Sequence, residues 1–489
     1  MKKNILLFTA AAGTLLLGAC KKQLTETPYS FLTPTNFYQT AADAQSAING
    51  VLSALQPQAY YQRTIYIMTE CPGDCLAPIL TQNQERIDMY KLQYTPANPE
   101  ITNWWQNSYK LISRANDVIA NVPAIKMDAA QKGNILGNAY FLRGMAYFDL
   151  VRSFGNVPLL TKPITSPGDS SLFPKRTDAG IIYQQVIADL KFAEANCFSE
   201  PNISSSNKGM VSNAAASAML ARVYLQRGKS AYADPGDNQA ALNECNIVIN
   251  SNVYSLMPNY GDIFSCDTKY WSTTGGNKEV IFAVQFGDNT SSTTQNITCR
   301  MFSPALLGGS ASFVANTNFV NNGYPVYDTM RHNWNIGTKV GTTAVTPFIY
   351  KYRDAKWIAN SNNSRVNWIV LRYADVLLMQ SEAMNNLNPA DPGKFAGINK
   401  VQQRAKIPAV NQYSFTNVPT SDNFVDSLLK ERQRELCVEG HRRWDLIRLG
   451  RYKQIEAGIG MNLQDYLLLM PIPQTEMDAN KNLTPNPGY

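Results

Sequence analysis

Histidine is almost missing from this chain: His332 and His441 are the only two in 489 residues. That scarcity removes the commonest general base and the commonest metal ligand together. No G-x-S-x-G, H-E-x-x-H or P-loop pattern occurs either, so the usual marks of a nucleophile elbow, a zinc protease and a phosphate cradle are lacking. Charge is thin. Lys and Arg total 44 against 37 Asp and Glu, a formal +7 that includes Lys2 and Lys3, and no basic stripe of the kind nucleic acid requires is present. Beyond residue 19 no run approaches the ~18 consecutive apolar residues of a spanning helix. A metal site is not expected, because there are two histidines and no second close cysteine pair beside Cys71 and Cys75. No cofactor is expected.

The first twenty residues carry the sharpest signal. Lys2 and Lys3 precede an apolar run from Ile5 to Leu17, and Leu17-Gly18-Ala19-Cys20 places small residues ahead of a cysteine. Positive start, short apolar stretch and small residues make a signal peptide over 1–19. The cysteine that follows is the nucleophile a lipobox supplies for acylation, so Cys20 is the expected lipidation site. Several acyl chains there anchor stably where one would be marginal. Residues 20–39, broken by Thr27-Pro28 and Thr33-Pro34, read as an extended tether.

Seven further cysteines stand at 71, 75, 197, 245, 266, 299 and 437. The compartment beyond the inner membrane permits disulfides, and Cys71-Pro72-Gly73-Asp74-Cys75 has turn residues suited to a small local one. Cys197 and Cys437 sit in apolar helical patterns and are expected to behave as buried hydrophobes. Aromatics are plentiful, with 25 Tyr, 19 Phe and 7 Trp.

The body of the chain, 40–489, alternates helical patterns in pairs. Apolar periodicity predicts helices over 40–55, 103–121, 136–154, 178–196 and 212–227. Arg143-Gly144-Met145-Ala146-Tyr147-Phe148 parallels Leu220-Ala221-Arg222-Val223-Tyr224-Leu225, with small residues where helices must approach closely. Residues 239–250 begin a third pair, 368–386 and 394–405 form another, and 421–440 gives one more helix. The pairs resemble tetratricopeptide units at a looser spacing than the regular period. Helical repeats thus occupy about 40–250 and 367–450. Between them, 251–366 is rich in Asn, Thr, Ser, Gly and aromatics, with short strand-like runs such as Glu279 to Val284. So long a non-helical insertion is expected to carry function.

Five stretches in order along the chain resemble the SusD/RagB-like outer-membrane lipoproteins. They are the lipobox with Tyr29-Ser30 and Thr33 to Tyr38; Asn138 to Leu150 with Phe154 to Leu159; Trp368 to Leu378 with Ser381 to Asn385; Glu431 to Leu436 with Glu439 to Arg448; and Leu469 to Pro473 running to Asn486-Pro487-Gly488-Tyr489. The resemblance implies a mainly α fold, with tetratricopeptide-like helix pairs as scaffold and the loop-rich insertion as ligand face. It also implies a lipid-anchored place on the outer membrane, facing outward, and a SusC-like TonB-dependent barrel as partner. The protein would capture oligosaccharide or another nutrient and pass it on without chemistry. A surface glycoside hydrolase or esterase and a helical envelope scaffold are the alternatives.

Aromatic faces stack on the C–H patches of sugar rings while Asn, Asp and Arg satisfy hydroxyls. Three places outside the helical pattern offer that mixture: Tyr60, Tyr61, Arg63 and Asp74 with Asn103 and Trp104; Tyr270 and Trp271; and Tyr324, Tyr327, Asp328, Arg331 and Trp334. Of the adjacent tryptophans, Trp104 is expected to be exposed and Trp105 core. Asp328 to Arg331 resembles a D-x-x-R turn that recurs in that family, and the resemblance implies a structural role for it. Glu431, Glu435 and Glu439, interleaved with arginines at i,i+4, read as helix-surface ion pairing rather than a glycosidase carboxylate pair. Arg372, Asp375 and Glu382 read as residues that pin helices together.

Overall fold

A computed structural model describes residues 37–489 except 82, 167, 273 and 288–295. Cys20, the signal peptide and nearly all of the tether lie outside the described residues. Contacts gather Thr40–Tyr489 into one compact unit.

Nine helices longer than ten residues are found among the described residues: α1 (Ala41–Ser53), α2 (Pro99–Asn121), α3 (Ala129–Phe154), α4 (Ala179–Asn196), α5 (Asn213–Arg227), α6 (Asp237–Asn250), α7 (Tyr373–Leu387), α8 (Lys394–Arg404) and α9 (Ser421–Glu435). Their starts follow from capping chemistry. Thr40 and Asp43 form a reciprocal capping box on α1. Asn98, Asp128, Asp178, Ser212 and Thr420 each accept a backbone N–H of the first turn of α2, α3, α4, α5 and α9.

From α2 to α8 each helix packs on the next in sequence, giving the expected stack of helical pairs. Small residues set the approach. A Cβ on Gly144 would lie 3.2 Å from Cβ of Asp189, and one on Gly137 would lie 2.8 Å from Sγ of Cys197. Beside Gly144, buried Arg143 grips Asp189 with Nε and Nη2 at 2.8 and 2.7 Å, which ties α3 to α4. The pair begun by α6 is completed by α7, although the whole insertion intervenes.

Two helical expectations need correction. Trp368–Arg372 is a strand, β6, which precedes α7 and pairs antiparallel with β2 (Val280–Val284). A fully buried run of Trp, Ile, Val and Leu suits a covered strand as well as a helix, and periodicity cannot separate them. The expected helix over 421–440 ends at Glu435, and a second short helix runs from Arg442 to Arg448. Between them Val438 and Gly440 take positive φ angles of 57° and 80°, which break the helical path.

Elsewhere strands are few among the described residues: β1 (Leu76–Pro78) pairs with β3 (Phe313–Ala315), and β4 (Ile336–Val340) with β5 (Thr343–Ile349), all antiparallel. No described helix is long and apolar enough to cross a membrane.

The proposed local disulfide is not formed. Cys71 and Cys75 are both free thiols inside the protein, as are the other five. Burial pushes the Cys71 and Cys75 thiols well up, away from the reactive thiolate. Cys75 Sγ instead contacts Asp74 Oδ1 at 3.6 Å.

Charged groups are buried on a large scale. Glu431 and Glu435 are fully inside, so the surface ion-pair reading of this run is overturned. Their partners come from elsewhere in the chain. Glu435 accepts from Arg372 Nη1 at 2.6 Å, from Arg331 Nη1 at 3.1 Å and from Arg404. Arg372 also donates to Glu279 at 2.8 Å and to Glu439 at 2.8 and 3.0 Å. Arg331 adds Asp328 and Glu431, and Lys351 binds Glu439 at 2.5 Å. This joint takes Glu279, Asp328, Arg331 and Lys351 from the insertion and the rest from the helical scaffold. Asp328 and Arg331 are therefore structural, as expected, and so are Arg372, Asp375 and Glu382. Asp375 pairs with Arg432 and Arg222, and Glu382 with Arg448.

One buried carboxyl is left out of such pairing. Glu456 is fully inside and neither of its oxygens has a partner. Burial first, and Asp74 second, push its carboxyl up to about 8. A raised folded-state value means its contribution to stability is complete below the unfolded value of ~4.3 and fades as pH climbs towards 8. Glu70, buried and also at about 8, adds a fall over the same range. The Tm of Glu456→Gln is therefore expected to decline less between pH 5 and 8 than that of the parent. Parallel declines in a calorimetric pH series would rule this out.

Candidate functional site

A cavity of about 570 Å3 opens in the insertion, and every residue lining it falls between Gly261 and Arg365. Its walls are aromatic: Trp334, Tyr350, Trp357 and Phe348 all contribute. Each is held by a feature of local structure. Trp334 ends a short helix, Thr329–Asn335, one turn beyond Arg331, so the ionic joint fixes its place. Phe348 and Tyr350 lie at the end of β5, where Phe348 covers Gly337 of β4 so closely that a Cβ there would sit 2.4 Å from the ring. Trp357 donates Nε1–H to the Ser361 carbonyl at 3.0 Å.

Between Trp334 and Tyr350 lies Arg353, its guanidinium carbon 3.5 and 3.9 Å from the two ring centroids. Stacking of this kind leaves the N–H edge of the guanidinium as its polar outlet. The two residues before it are locked: Lys351 Nζ donates to the Cys437 carbonyl at 2.9 Å, and Tyr352 Oη to that of Val438 at 2.7 Å. Burial draws the Arg353 guanidinium below its ordinary value.

Carboxylates complete the wall. Asp354 is gripped by Arg365, which reaches both oxygens and then Asp267 at 2.6 Å. Burial works against the charged form of Asp354, but Arg365 outweighs it and holds the carboxyl below its usual range. Arg365 and then Lys356 do the same for exposed Asp267. Both stay ionised at neutral pH, so they accept hydrogen bonds and lack the raised acid that general acid catalysis would need. Flat aromatic faces, a stacked guanidinium and fixed acceptors suit the ring faces and hydroxyls of a sugar.

The residues singled out from the sequence divide sharply. Tyr60, Tyr61 and Trp104 are 0, 3 and 0 % exposed and form a tilted aromatic cluster with Trp444 and Trp368. They face the core, where no ligand reaches, and Trp104 is as enclosed as Trp105. Asp74 is likewise inside, paired with Arg442 at 2.6 Å. Half-buried Arg63 pairs with Glu100 at 3.1 Å, and half-buried Asn103 lies one turn before Asn107 on α2. Tyr324 is buried too: its hydroxyl donates to the Arg434 carbonyl at 3.3 Å and accepts from Asn335 at 2.8 Å. Trp271 is half-buried away from the cavity, its Nε1 on the Val253 carbonyl at 3.3 Å and Lys208 over its ring. Of the thirteen residues in the three sequence clusters, only Trp334 lines the cavity.

Tyr350, Arg353 and Trp357 went unnoticed in the sequence. Their run, Tyr350-Lys351-Tyr352-Arg353-Asp354 with Trp357, has the same aromatic and charged mixture that marked the other clusters.

Close approach by glycine matters at one point of the wall. A Cβ on Gly261 would fall 2.4 Å from the Trp334 ring. Gly261→Ala is therefore expected to turn that ring out of place and weaken glycan affinity severalfold while the circular dichroism spectrum stays unchanged. Unaltered affinity in calorimetry would show that the ring is not held against this backbone.

The chain is similar to known proteins along most of its length. Residues 310–489 match the sequence model described as the SusD family, and residues 24–225 match one described as starch-binding, associating with outer membrane. SusD-like protein P2 of Formosa agariphila is 27% identical over 529 residues, spanning 100% of both chains. A SusD-like protein of Bacteroides ovatus is 25% identical over 92% of this chain and 83% of its own. Among solved structures, a SusD homolog from Bacteroides thetaiotaomicron superposes with a TM-score of 0.80 at 23% identity, covering 93% of this chain and 98% of that one. A laminarin binding SusD-like protein superposes with a TM-score of 0.77 at 23% identity, covering 92% and 100%.

Proposed function

Because the chain belongs to the SusD/RagB-like family, we propose that it is a non-catalytic glycan-binding lipoprotein of the outer membrane. One observation carries this reading: an aromatic-walled cavity with a stacked arginine and ion-paired carboxylates, built wholly from the insertion. The bound oligosaccharide lies on Trp334, Tyr350 and Trp357, with Arg353 and Asp267 meeting its hydroxyls. The similarity to a laminarin binding relative and to a starch-binding family description supports a carbohydrate ligand.

In this reading residues 1–19 are removed, Cys20 carries the lipid, and 20–39 tether the compact unit that begins at Thr40. The binding body faces outward and hands its glycan to a SusC-like TonB-dependent barrel. Two measurements test it. Calorimetry of the chain from residue 21 against a panel of oligosaccharides should give saturable binding with no product released, and silence across the panel would count against the reading. Detergent-solubilised full-length protein should co-purify with a TonB-dependent barrel.

A further inference from the structure

Two arginines line the glycan cavity, and the protein supplies a counter-charge to only one of them. Arg365 reaches Asp354 at 2.5 Å and Asp267 at 2.6 Å, so its charge is met inside the wall. Arg353 is half-buried, yet among the described residues it forms no ion pair. Only the Tyr350 hydroxyl works against the effect of burial on its guanidinium, and no carboxylate does. The inference rests on the reading of this cavity as a glycan site: we propose that the ligand is an acidic glycan, with a uronate carboxylate on the N–H edge of Arg353.

Desolvation is what selects an acid over a neutral chain. A guanidinium drawn partly out of water loses hydration that a counter-charge restores better than a neutral dipole. Elsewhere the chain itself provides that charge, as Glu431 does for Arg331 and Glu279 for Arg372 and Arg404. Arg353 has no such partner. A sugar hydroxyl offers it one neutral acceptor, whereas a carboxylate offers two charged oxygens that match two parallel N–H bonds, each about twice as strong. Both flat faces of the guanidinium are taken, by Trp334 at 3.5 Å and Tyr350 at 3.9 Å, so the donor edge is what a ligand meets. The chain is pinned on either side of it. Tyr352 Oη donates to the Val438 carbonyl at 2.7 Å, and Asp354 Oδ2 accepts the Arg365 backbone N–H at 3.0 Å. Little freedom is lost when a carboxylate docks on a fork held this way.

The aspartates of the wall do not oppose that docking. Asp354 and Asp267 share Arg365, and Lys356 adds to the neutralisation of Asp267 from 3.5 Å. Asp262 stands in solvent, accepting from Asn259 Nδ2 at 3.1 Å, where screening blunts its repulsion. A uronate also keeps the C–H faces of its ring, so stacking on the cavity aromatics is unchanged.

The test uses the chain from residue 21 and three matched pairs of probes. They are hexagalacturonate with its methyl ester, hexamannuronate with mannohexaose, and laminarihexaose with its form oxidised to carboxylates at the primary alcohols. Calorimetry at low salt should find a pair whose acid member binds about tenfold more tightly than its neutral partner, with the advantage shrinking as salt is raised. Arg353→Gln should bring the two members level, and Arg353→Lys, which keeps the charge, should recover part of the gap. Neutral members that bind as tightly as their acids would overturn the acid assignment and leave the glycan site standing. A gap that survives in Arg353→Gln would also overturn it, by placing the acid elsewhere. Laminarihexaose sulfated at the primary alcohols, if it outbinds the oxidised form, would overturn the carboxylate in favour of a sulfate ester. Silence from all the probes and from the neutral panel would instead overturn the glycan reading, and this inference with it.

Discussion

Replacing Glu435 by alanine is expected to destabilise the protein by about 3–5 kcal/mol, the usual loss when one partner of a buried ion network is deleted. The carboxylate meets Arg372, Arg331 and Arg404 with no exposure to water, and its removal leaves each of those buried guanidinium groups one acceptor short. An exposed pair makes the contrast. Asp422, 78 % exposed, meets Arg451 at the surface, and Asp422→Ala should shift stability by less than about 1 kcal/mol. Urea melts of both variants measure the difference, and equal midpoints would mean the joint adds nothing. The sign with pH also follows. Burial opposes the charge on Glu435, but Arg404, Arg372 and Arg331 outweigh it and hold the carboxyl well below its ordinary value. Its stabilisation is present above the unfolded carboxylate range of ~4.3 and is lost as the solution is acidified through lower pH.

The second large effect concerns binding. Trp334→Ala should weaken glycan affinity by at least tenfold, which is about 1.4 kcal/mol or more. It removes both a stacking face and one side of the Arg353 sandwich. Trp334→Phe keeps a smaller face and should recover part of the loss. Isothermal calorimetry with the glycan found in the panel gives the numbers. Wild-type affinity in Trp334→Ala would remove that residue from the site, and Trp271→Ala, away from the cavity, should leave affinity unchanged.

Much of the scaffold was legible because its signals are local. Caps such as Thr40 and Asp178, alternating apolar positions and small residues at Gly144 each lie within one or two helical turns. What failed depended on distant partners. The Glu431 to Glu439 run looks like a surface helix until Glu279, Arg331, Lys351, Arg372 and Arg404 close over it, and those residues stand tens of positions away. Trp368–Arg372 looked helical because nothing local announced β2 as its partner. Tyr60 and Trp104 illustrate the same gap in the site. Their type suits stacking, but type does not say which way a ring points, and both point inward.

The pairing of α6 with α7 bears on how the chain comes to its final shape. Helices α2 to α5 pack with immediate neighbours in sequence, so they can form as the polypeptide lengthens. Asn250 and Tyr373, by contrast, belong to helices that meet only after everything between them has been made. That closure is long-range, and its entropic penalty grows slowly with loop length, as the logarithm, so a long detour is little worse than a moderate one. Late arrival is the greater burden: α6 keeps an unpaired apolar face until α7 emerges. An export system that delivers the chain unfolded and from the N-terminus would meet that waiting face every time.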